Sequence, residues 1–439
     1  MAAWPEAAAV QDSAAWPQWR GAERDGAGDA STLPSELPAE LTPGWRVDVG
    51  EGHSSPVVIG GTVFLHSREG EQEVVRALSL ADGAELWSQS YAAPYTMNPA
   101  ARSHGPGPKS TPVYADGRLF TFGITEVLSA FDAASGELSW RHEFSDRYPE
   151  TAPIYGSAMS PIRVGDTIVA HIGWDQAGAL TAFDAASGEV RWANDEFTPG
   201  YASPVLVEVA GARLLVTQTD RHIVAFDAAS GATRWSMPFT TSFQQNSVTP
   251  LDAGNGRLVL SGLDLDLFAL RLSPPAVPSG APQAATMALA GAPLGGEGWR
   301  PDPEAPSGSA TQDGSWSSSE LWRNTTLPLY MSSPVLVGDR LFGMSHRRAG
   351  QFFCVDVATG EPIWTSRGRE GENAAIVALG NRVAFLTDEA RLVIVAADAA
   401  AYEPLAEYEV ASTPTWAHPV FTSRGVLIKD LETLALWNF

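Results

Sequence analysis

The chain is poor in cysteine, in positive charge and in long apolar segments. Its one cysteine, Cys354, lies in an apolar stretch, which excludes an intrachain disulfide and predicts a buried small hydrophobe. Lysine and arginine number 28 against 51 aspartate and glutamate residues, a formal net charge of −23. Nucleic acid and anionic membranes both require a basic footprint, so neither is expected as a partner. No run reaches the roughly 18 apolar residues of a transmembrane helix.

Sequence motifs of the common catalytic and metal sites are also missing. The sequence has no His/Cys metal-ligand spacing, no phosphate-binding loop, no Gly-x-Ser-x-Gly elbow and no EF-hand calcium loop. Residues 1–12 lack the basic and apolar regions of a secretory signal. The residues therefore predict no metal site and assign no cofactor, and any functional site must be assembled by the fold.

What the sequence does contain is a repeat. Ala-Phe-Asp-Ala-Ala-Ser-Gly occurs at Ala130–Gly136, Ala182–Gly188 and Ala225–Gly231, each followed four residues later by a tryptophan. Looser copies run from Leu80 to Trp87 and from Val355 to Trp364. Because a period of about 40 to 50 residues is typical of repeat architectures, the repeat decides the fold class.

Each copy predicts a strand, a tight turn and a second strand. The aspartate opens the turn by accepting bonds from backbone N–H groups, and the glycine supplies the positive φ that closes it. A Ser/Thr-Pro or His-Pro pair starts an apolar run upstream of each hairpin, as at Ser55-Pro56 and Ser333-Pro334, and a further short turn and apolar run follow. Each unit therefore has four antiparallel strands.

Eight such units predict an all-β, eight-bladed β-propeller. The last unit has room for only three strands, and Gly44–Asp48 resembles the missing tryptophan strand, so an N-terminal strand is expected to close the ring. The predicted domains are an N-terminal arm at 1–43, anchored across the propeller surface by its tryptophans, and the propeller at 44–439. Residues 273–318, rich in Pro, Gly, Ala and Ser, are expected to be a disordered insertion.

The repeats resemble the pyrroloquinoline-quinone (PQQ) enzyme repeat, from about Trp45 to the C-terminus. The opening Trp16-Pro17-Gln18-Trp19-Arg20-Gly21 is similar to the start of exported bacterial PQQ-like propeller proteins. The resemblance implies that the repeated tryptophans dock between blades and that ligands lie over the central channel. The superfamily includes both quinone-dependent dehydrogenases and non-catalytic members such as the propeller lipoprotein of the outer-membrane assembly machine, so the repeat does not choose a function.

Loops that precede the innermost strands are expected to converge on one face and form a ligand site. The candidates there are His53, Lys109, Tyr155, Tyr201, Gln245, Asn246, Glu372, Asn373, Trp416 and His418. Turns between the second and third strands add Trp174, His222, His346, Arg347 and Arg348, of which the adjacent cationic residues suit a carboxylate or phosphate. The alternative for both sets is structural: satisfied polar groups in a crowded channel, and a solvated hairpin tip.

The favoured function is a binding or protein-interaction scaffold, monomeric, with a protein partner or a small polar ligand. The alternative is a quinone- or metal-dependent oxidoreductase, which implies PQQ with Ca²⁺. The resemblance associates that chemistry with vicinal cysteines, which this chain lacks, and Glu372-Asn373 is the only adjacent Glu-Asn pair near a predicted channel loop. The resemblance favours a periplasmic or secreted protein, and a cytoplasmic location stays open because no signal is read.

Overall fold

The protein is an all-β, eight-bladed propeller of four-stranded antiparallel blades. The computed structural model describes residues 15–144, 154–174, 177–275 and 315–439, with only the backbone of Ser103 and Trp174. The helical elements in those ranges are short 3₁₀ turns at Ala30–Thr32, Pro99–His104, Ser242–Gln244 and Arg347–Ala349. Among the described residues, no helix has the length and apolar character needed to cross a membrane.

Two short elements precede the first blade, β1 (Ala27–Gly28) and β2 (Thr42–Asp48). The strands follow in chain order, and each blade runs from its innermost to its outermost strand. Blade 1 has β3 (Val57–Ile59), β4 (Thr62–Glu69), β5 (Gln72–Ser79) and β6 (Glu85–Ala92), and blade 2 has β7 (Val113–Ala115), β8 (Arg118–Phe122), β9 (Val127–Asp132) and β10 (Leu138–Glu143). Blade 3 has β11 (Ile162–Val164), β12 (Thr167–Trp174), β13 (Ala177–Asp184) and β14 (Val190–Asn194), and blade 4 has β15 (Val205–Val209), β16 (Ala212–Gln218), β17 (His222–Asp227) and β18 (Thr233–Pro238).

Blade 5 has β19 (Leu251–Asp252), β20 (Arg257–Gly262), β21 (Leu265–Ser273) and β22 (Ser317–Asn324), and blade 6 has β23 (Val335–Val337), β24 (Arg340–Ser345), β25 (Gln351–Asp356) and β26 (Pro362–Thr365). Blade 7 has β27 (Ala374–Leu379), β28 (Arg382–Thr387), β29 (Arg391–Ala396) and β30 (Pro404–Glu409), and the last part of the chain gives blade 8 three strands, β31 (Val420–Thr422), β32 (Gly425–Lys429) and β33 (Thr433–Asn438). Most of the predicted insertion at 273–318 lies outside the described residues, and at its ends Ser273 belongs to β21 and Ser317 begins β22.

The ring closes as the sequence predicts. Strand β2 pairs antiparallel with β33 as the outermost strand of blade 8, with Arg46 opposite Ala435 and Asp48 opposite Thr433. The closing strand starts two residues earlier than predicted, at Thr42. Closure matters because an unpaired β33 would expose a row of free backbone groups.

Inner strands are buried on both faces, whereas outer strands are half exposed. Strand β28 is buried from Val383 to Thr387, while β6 is exposed at most of its positions. The difference arises because adjacent blades cover both faces of the inner strands. The inner strands therefore have continuous apolar runs, as strands covered on both faces do.

Several of the repeated tryptophans, among them Trp87, Trp140 and Trp192, dock on the aspartate turn of the next blade. The Trp87 indole donates to the Ala133 carbonyl at 3.0 Å, and Trp140 donates to Ala185 at 3.2 Å. The motif glycine lies beneath the ring: a Cβ added to Gly136 would be 2.6 Å from Trp87. In the same turn Asp132 accepts from the backbone N–H of Ser135 at 2.8 Å. The glycine is thus required both for its positive φ of 75° and for its missing side chain.

The hydroxyl of each Ser/Thr-Pro pair has a function that the sequence analysis missed. The backbone N–H of one blade donates to the hydroxyl of the next around much of the channel: Ser55 to Thr111 at 3.1 Å, Thr111 to Ser160 at 2.9 Å and Ser160 to Ser203 at 2.9 Å. The circle continues across the ring closure, where His418 N–H donates to Ser55 at 2.8 Å. These bonds link neighbouring innermost strands where strand pairing does not.

Candidate functional site at the channel mouth

Two families of loops share one face of the ring, which we call the mouth face. Because strands within a blade alternate in direction, the loops from an outermost strand to the next blade and the turns between second and third strands end on the same side. The opposite face carries the other two kinds of turn. All candidate residues named from the sequence belong to mouth-face loops, or to strand ends beside them.

The centre of the mouth face is closed from below by the N-terminal segment 15–28, here called the plug. Trp16 forms a bridge with Val58 of blade 1, and Ala27 and Gly28 pair in parallel with Ala378 and Leu379 of blade 7. Between them the chain turns at the level of the Ser/Thr-Pro pairs. The segment therefore enters the channel as a hairpin whose tip points to the mouth face. For residues 15–28, which include Trp16 and Trp19, the expectation of an arm across the propeller surface is wrong, since they lie inside the ring.

Two buried arginines hold the tip of the plug. The Arg20 guanidinium donates to the carbonyls of Ser333 and Pro334 in blade 6, at 2.9 and 2.5 Å. The Arg24 guanidinium donates to Pro161 at 2.7 Å and to Ser160 at 2.9 Å, in blade 3. Burial lowers the pKa of Arg20 to about 10 and that of Arg24 to about 9, so both remain charged at neutral pH. Their charge is compensated mainly by backbone carbonyls.

Trp19 forms part of the floor of the mouth. Its indole N–H donates to the Thr249 hydroxyl at 3.1 Å, and its ring meets His418 edge-on with centroids 4.5 Å apart. His418 is buried beneath this contact, and burial lowers its pKa well below the usual value. His418 therefore stays neutral and is covered by the plug, which keeps it from the open surface.

Above this floor, five of the loops place aromatic rings in a continuous chain, which we call the aromatic bowl. Its ring-centroid separations are 5.8 Å for His53–Trp416, 5.7 Å for His104–Trp416, 5.3 Å for His104–Tyr155 and 5.6 Å for Tyr155–Tyr201. Four of these residues, His53, Tyr155, Tyr201 and Trp416, belong to the candidate set from the sequence, and His104 is the fifth. Edge-on and tilted contacts of this kind are favourable for aromatic rings.

Lys109 supplies the positive charge of the bowl. Its ammonium donates to the Gly105 carbonyl at 3.2 Å, and burial lowers its pKa to about 8. Burial first, and the Lys109 charge second, lower the pKa of His53 to about 3, so this imidazole is neutral. Because the His104 carbonyl 2.9 Å from His53 Nε2 can only accept, Nε2 carries the proton.

A second group of mouth residues lies around blades 4 to 6. The Tyr330 hydroxyl donates to Gln245 Oε1 at 3.1 Å, and the Tyr330 ring lies 6.3 Å from His346. His346 Nε2 is 3.4 Å from Asp264, whose carboxylate also accepts from Ser242 at 3.3 Å. These contacts join three blades, so the structure brings Gln245 and His346 together.

Other candidates do not join the aromatic bowl or the second group. The Asn246 amide donates to the carbonyls of Thr219 and Phe239 at 2.7 and 2.8 Å, and Asn373 Oδ1 accepts from Ser332 at 2.5 Å. Glu372 is exposed, and His222 meets Phe197 edge-on at 5.2 Å. The side chain of Trp174 lies outside the described residues.

Sequence reasoning also missed a buried carboxyl beside the bowl. Glu126 Oε1 accepts from Gly173 N–H at 2.9 Å and from Ser157 Oγ at 3.1 Å, whereas Oε2 has no partner among the described residues. A cavity of about 10 Å³, room for one water molecule, adjoins it and reaches Tyr201. Burial raises the pKa of Glu126 to about 7. A glutamate in a turn carries no local signal of such burial.

The residues present do not fit a calcium-bound quinone. Asn373, one half of the predicted Glu-Asn pair, has its oxygen committed to Ser332, and Cys354 is buried between strands of blade 6. Within the described ranges, no group of three or more His, Cys, Asp or Glu side chains converges in a way that suits a metal ion. The plug also crosses the channel beneath the bowl. No chemical step through such a cofactor follows from this donor set.

Comparison with known proteins points to one family. A family model described as outer membrane protein assembly factor BamB matches residues 70–366. The outer membrane protein assembly factor BamB of Yersinia pestis is 31% identical over 185 residues, which span 41% of this chain and 42% of that relative.

Solved structures agree on the fold. BamB from Moraxella catarrhalis has a TM-score of 0.57 at 13% identity, covering 91% of this chain and 100% of that one. A quinohemoprotein alcohol dehydrogenase from Pseudomonas putida HK5 has a TM-score of 0.50 at 12% identity, covering 98% and 80%. At these identities the likeness concerns the fold alone.

Proposed function

Because this chain belongs to the outer membrane protein assembly factor BamB family, we propose that it is a protein-interaction scaffold that docks partners on its mouth face. The likeness to an assembly factor supports a binding function, and no observation specifically favours the oxidoreductase alternative. Location in the periplasm or outside the cell, and a monomeric state, belong to the same proposal.

The observation that carries the proposal is the exposure of Phe243 on the mouth face. Its side chain is 78% exposed, more than any other large apolar side chain among the described residues. Leu86, Leu138, Leu321 and Leu405, by contrast, lie on outermost strands at the rim of the ring. An exposed aromatic side chain on a loop is typical of an interface anchor, because it gains most when a partner covers it.

The backbone beneath Phe243 supports the same conclusion. Phe243 and Gln244 both have left-handed φ values, 58° and 55°, which non-glycine residues adopt at a cost. The neighbouring Ser242 and Gln245 are tied by hydrogen bonds to Asp264 and Tyr330. The surrounding loop thus holds the phenyl ring outward at the expense of local strain.

Site-specific crosslinking in the native cells tests the proposal. A photoreactive phenylalanine analogue is placed at position 243 of the full chain, and a matched control carries it at Leu405, which is 51% exposed on β30. We expect discrete protein adducts from position 243 that the control does not give. Equal adducts at both positions, or none at 243, would overturn the docking proposal.

Deletion of the gene tests the cellular process. Because the relatives are outer membrane protein assembly factors, outer-membrane protein assembly is the first process to examine, with the abundance of folded outer-membrane proteins as the readout. A complementing copy carrying Phe243→Ser should fail to restore that abundance, whereas Leu405→Ser should restore it. Full complementation by Phe243→Ser would contradict docking through this loop.

A second candidate function, binding of a small anionic ligand, rests on Lys109. Among the described residues its ammonium has a single hydrogen bond, to Gly105, and its charge acts on His53 and His104 of the aromatic bowl. Small carboxylates should then raise the melting temperature of the protein, but not that of Lys109→Met. The same increase in both proteins would exclude Lys109 as the ligand group.

A further inference from the structure

Four arginines lie together on the mouth face of blade 6. Arg347 and Arg348 occupy the turn between β24 and β25, and Arg367 and Arg369 occupy the loop from β26 to blade 7. All four are exposed. In a chain with a net charge of −23, this concentration of like charge opposes the overall potential and calls for a specific cause.

The two loops contact each other directly. Arg369 N–H donates to the Arg348 carbonyl at 3.0 Å, and Glu370 N–H donates to the Gly350 carbonyl at 3.2 Å. A Cβ placed on Gly368 would be 2.7 Å from Arg348 Cβ, so the backbones pack as closely as a glycine permits. The four guanidinium groups therefore project from one rigid base.

Within the part of the chain that the structure describes, none of the four guanidinium groups has an ion pair or a hydrogen bond. Two nearby carboxylates have other partners: Glu370 pairs with Arg391, and Asp388 accepts from the backbone N–H groups of Glu372 and Asn373 at 3.0 and 3.1 Å. The four guanidinium groups thus have no direct ionic partner among the described residues.

Arg347 and Arg348 line an open groove of about 410 Å³, which we call the arginine groove. Its other lining residues are Thr326, Leu327, Gln351 and Thr365, with no carboxylate among them. This size suits a few side chains of a bound segment. Guanidinium and hydroxyl groups favour a ligand that carries carboxylates, because planar guanidinium groups bind them through paired hydrogen bonds.

Three of the thirteen described non-glycine residues with a positive φ lie in the same region. Arg348, Ala349 and Arg369 have φ values of 57°, 58° and 68°. Left-handed residues other than glycine collect at functional sites, where the surrounding contacts compensate their cost. A turn that served only to connect β24 and β25 would gain from glycine at these positions.

Two polar contacts link the loop of Phe243 to the turn that carries the arginine groove. Ser242, next to Phe243, donates to Asp264, and Asp264 in turn lies 3.4 Å from His346, the residue before Arg347. One surface therefore presents an exposed aromatic ring and, beyond His346, an uncompensated cationic groove. Aromatic residues and arginine are the side chains most enriched at the centres of protein interfaces.

From this surface we infer that the arginine groove binds a segment of a partner protein in which carboxylate side chains accompany an apolar residue. The apolar residue covers Phe243, and the carboxylates enter the groove between Arg347 and Arg348. This inference rests on the proposed scaffold function and specifies the chemistry of the partner. The contiguous phenyl ring favours a protein segment over a free inorganic anion.

Selection from a displayed random-peptide library on the full-length protein tests the chemistry. We expect enriched peptides to combine aspartate or glutamate with an aliphatic or aromatic residue. A consensus without carboxylates, or no enrichment, would overturn the inference.

A pair of matched double variants locates the binding. The labelled consensus peptide is titrated by fluorescence anisotropy into wild type, Arg347→Ala/Arg348→Ala and Arg213→Ala/Arg424→Ala. The last variant removes the same charge from exposed sites on the opposite face. The groove variant should bind at least about tenfold more weakly, and the control should match wild type. If both double variants bind the peptide equally weakly, the effect is due to net charge alone and the inference is overturned.

Competition and crosslinking distinguish the remaining outcomes. Raising the salt concentration should weaken peptide binding to wild type more than to the groove variant. Displacement by equimolar inorganic phosphate would mean that the groove is a simple anion site, which also overturns the inference. If adducts at position 243 persist in Arg347→Ala/Arg348→Ala, the proposed scaffold function is retained and only the inference of an acidic partner segment is overturned.

Discussion

At the scale of single residues, the motif glycines face two separate demands. Gly136 and Gly117 have nearly the same φ, 75° and 77°, but a Cβ at Gly136 would meet Trp87 at 2.6 Å, whereas nothing lies within 4 Å of one at Gly117. The pair therefore separates backbone strain from close packing.

Alanine substitutions at these two glycines should differ in cost. Gly117→Ala should lower the free energy of unfolding by about 1–2 kcal/mol, the cost of a left-handed alanine. Gly136→Ala should lose about 1–3 kcal/mol more, because the tryptophan must move. Denaturant unfolding measures both. Equal costs would show that the Trp87 contact yields freely to a methyl group.

Glu126 should make stability depend on pH. Its folded pKa of about 7 lies above the unfolded value of about 4.3, so the folded state holds a proton that the unfolded state releases. The stability that Glu126 contributes is fully present below its unfolded pKa and is lost as the pH rises through the folded pKa of about 7. Relative to wild type, Glu126→Gln should gain up to about 3 kcal/mol between pH 4 and pH 8. Urea unfolding at both pH values measures the gain, and a constant difference would contradict it.

At the scale of elements, the plug and the closing strand are neighbours in sequence with different structural tasks. Residues 15–28 fill the channel through Trp19, Arg20 and Arg24, whereas β2 completes blade 8. Deleting the plug while keeping β2 therefore separates the stabilising effect of the plug from that of ring closure.

Deleting residues 1–28 should leave a folded monomer with a lower melting temperature. Closure through β2 remains, but the carbonyls of Ser160, Pro161, Ser333 and Pro334 lose their guanidinium partners. A synthetic peptide of residues 15–28 should restore part of the melting temperature. An unchanged melting temperature would contradict a stabilising plug.

At the scale of the whole molecule, stability depends on a ring without free edges. Neighbouring blades are joined by docked tryptophans, as at Trp87, and by hydroxyl-linked inner strands, so one open joint would affect the entire circle. The pairing of β2 with β33 closes the ring by joining an N-terminal strand to the last strand of the chain.

Deleting residues 1–50 should yield multimeric or insoluble protein. The edge of β33, Thr433–Asn438, then loses its partner and is free to pair with other chains. Size-exclusion chromatography with light scattering measures the outcome, and deletion of residues 1–14 alone is the control, since every described contact remains. A monomeric product that melts like wild type would sink the closure argument.

The sequence by itself determined the blades, because their signals are local. An aspartate that accepts N–H bonds two and three residues on, a glycine at positive φ and a proline at a strand start each act within a few residues, and they recur with the period of the blade. Ring closure followed from counting, since a last blade with three strands needs a fourth. The expectation that equivalent loops share one mouth followed from radial symmetry, whereas the chain of aromatic rings did not.

Only the tertiary structure decided what fills and surrounds that mouth. Arg24 bonds Ser160 across 136 residues, and Arg20 bonds Ser333 across 313, so no local pattern links them. Asn246, Asn373 and His418 had the right positions for a site, but backbone carbonyls, the Ser332 hydroxyl and the plug, respectively, already engage them. The arginine groove needs two loops that touch only when blade 6 is folded. These contacts depend on the height of each side chain along the channel and on its direction in the closed ring. Short-range sequence periodicity does not encode either.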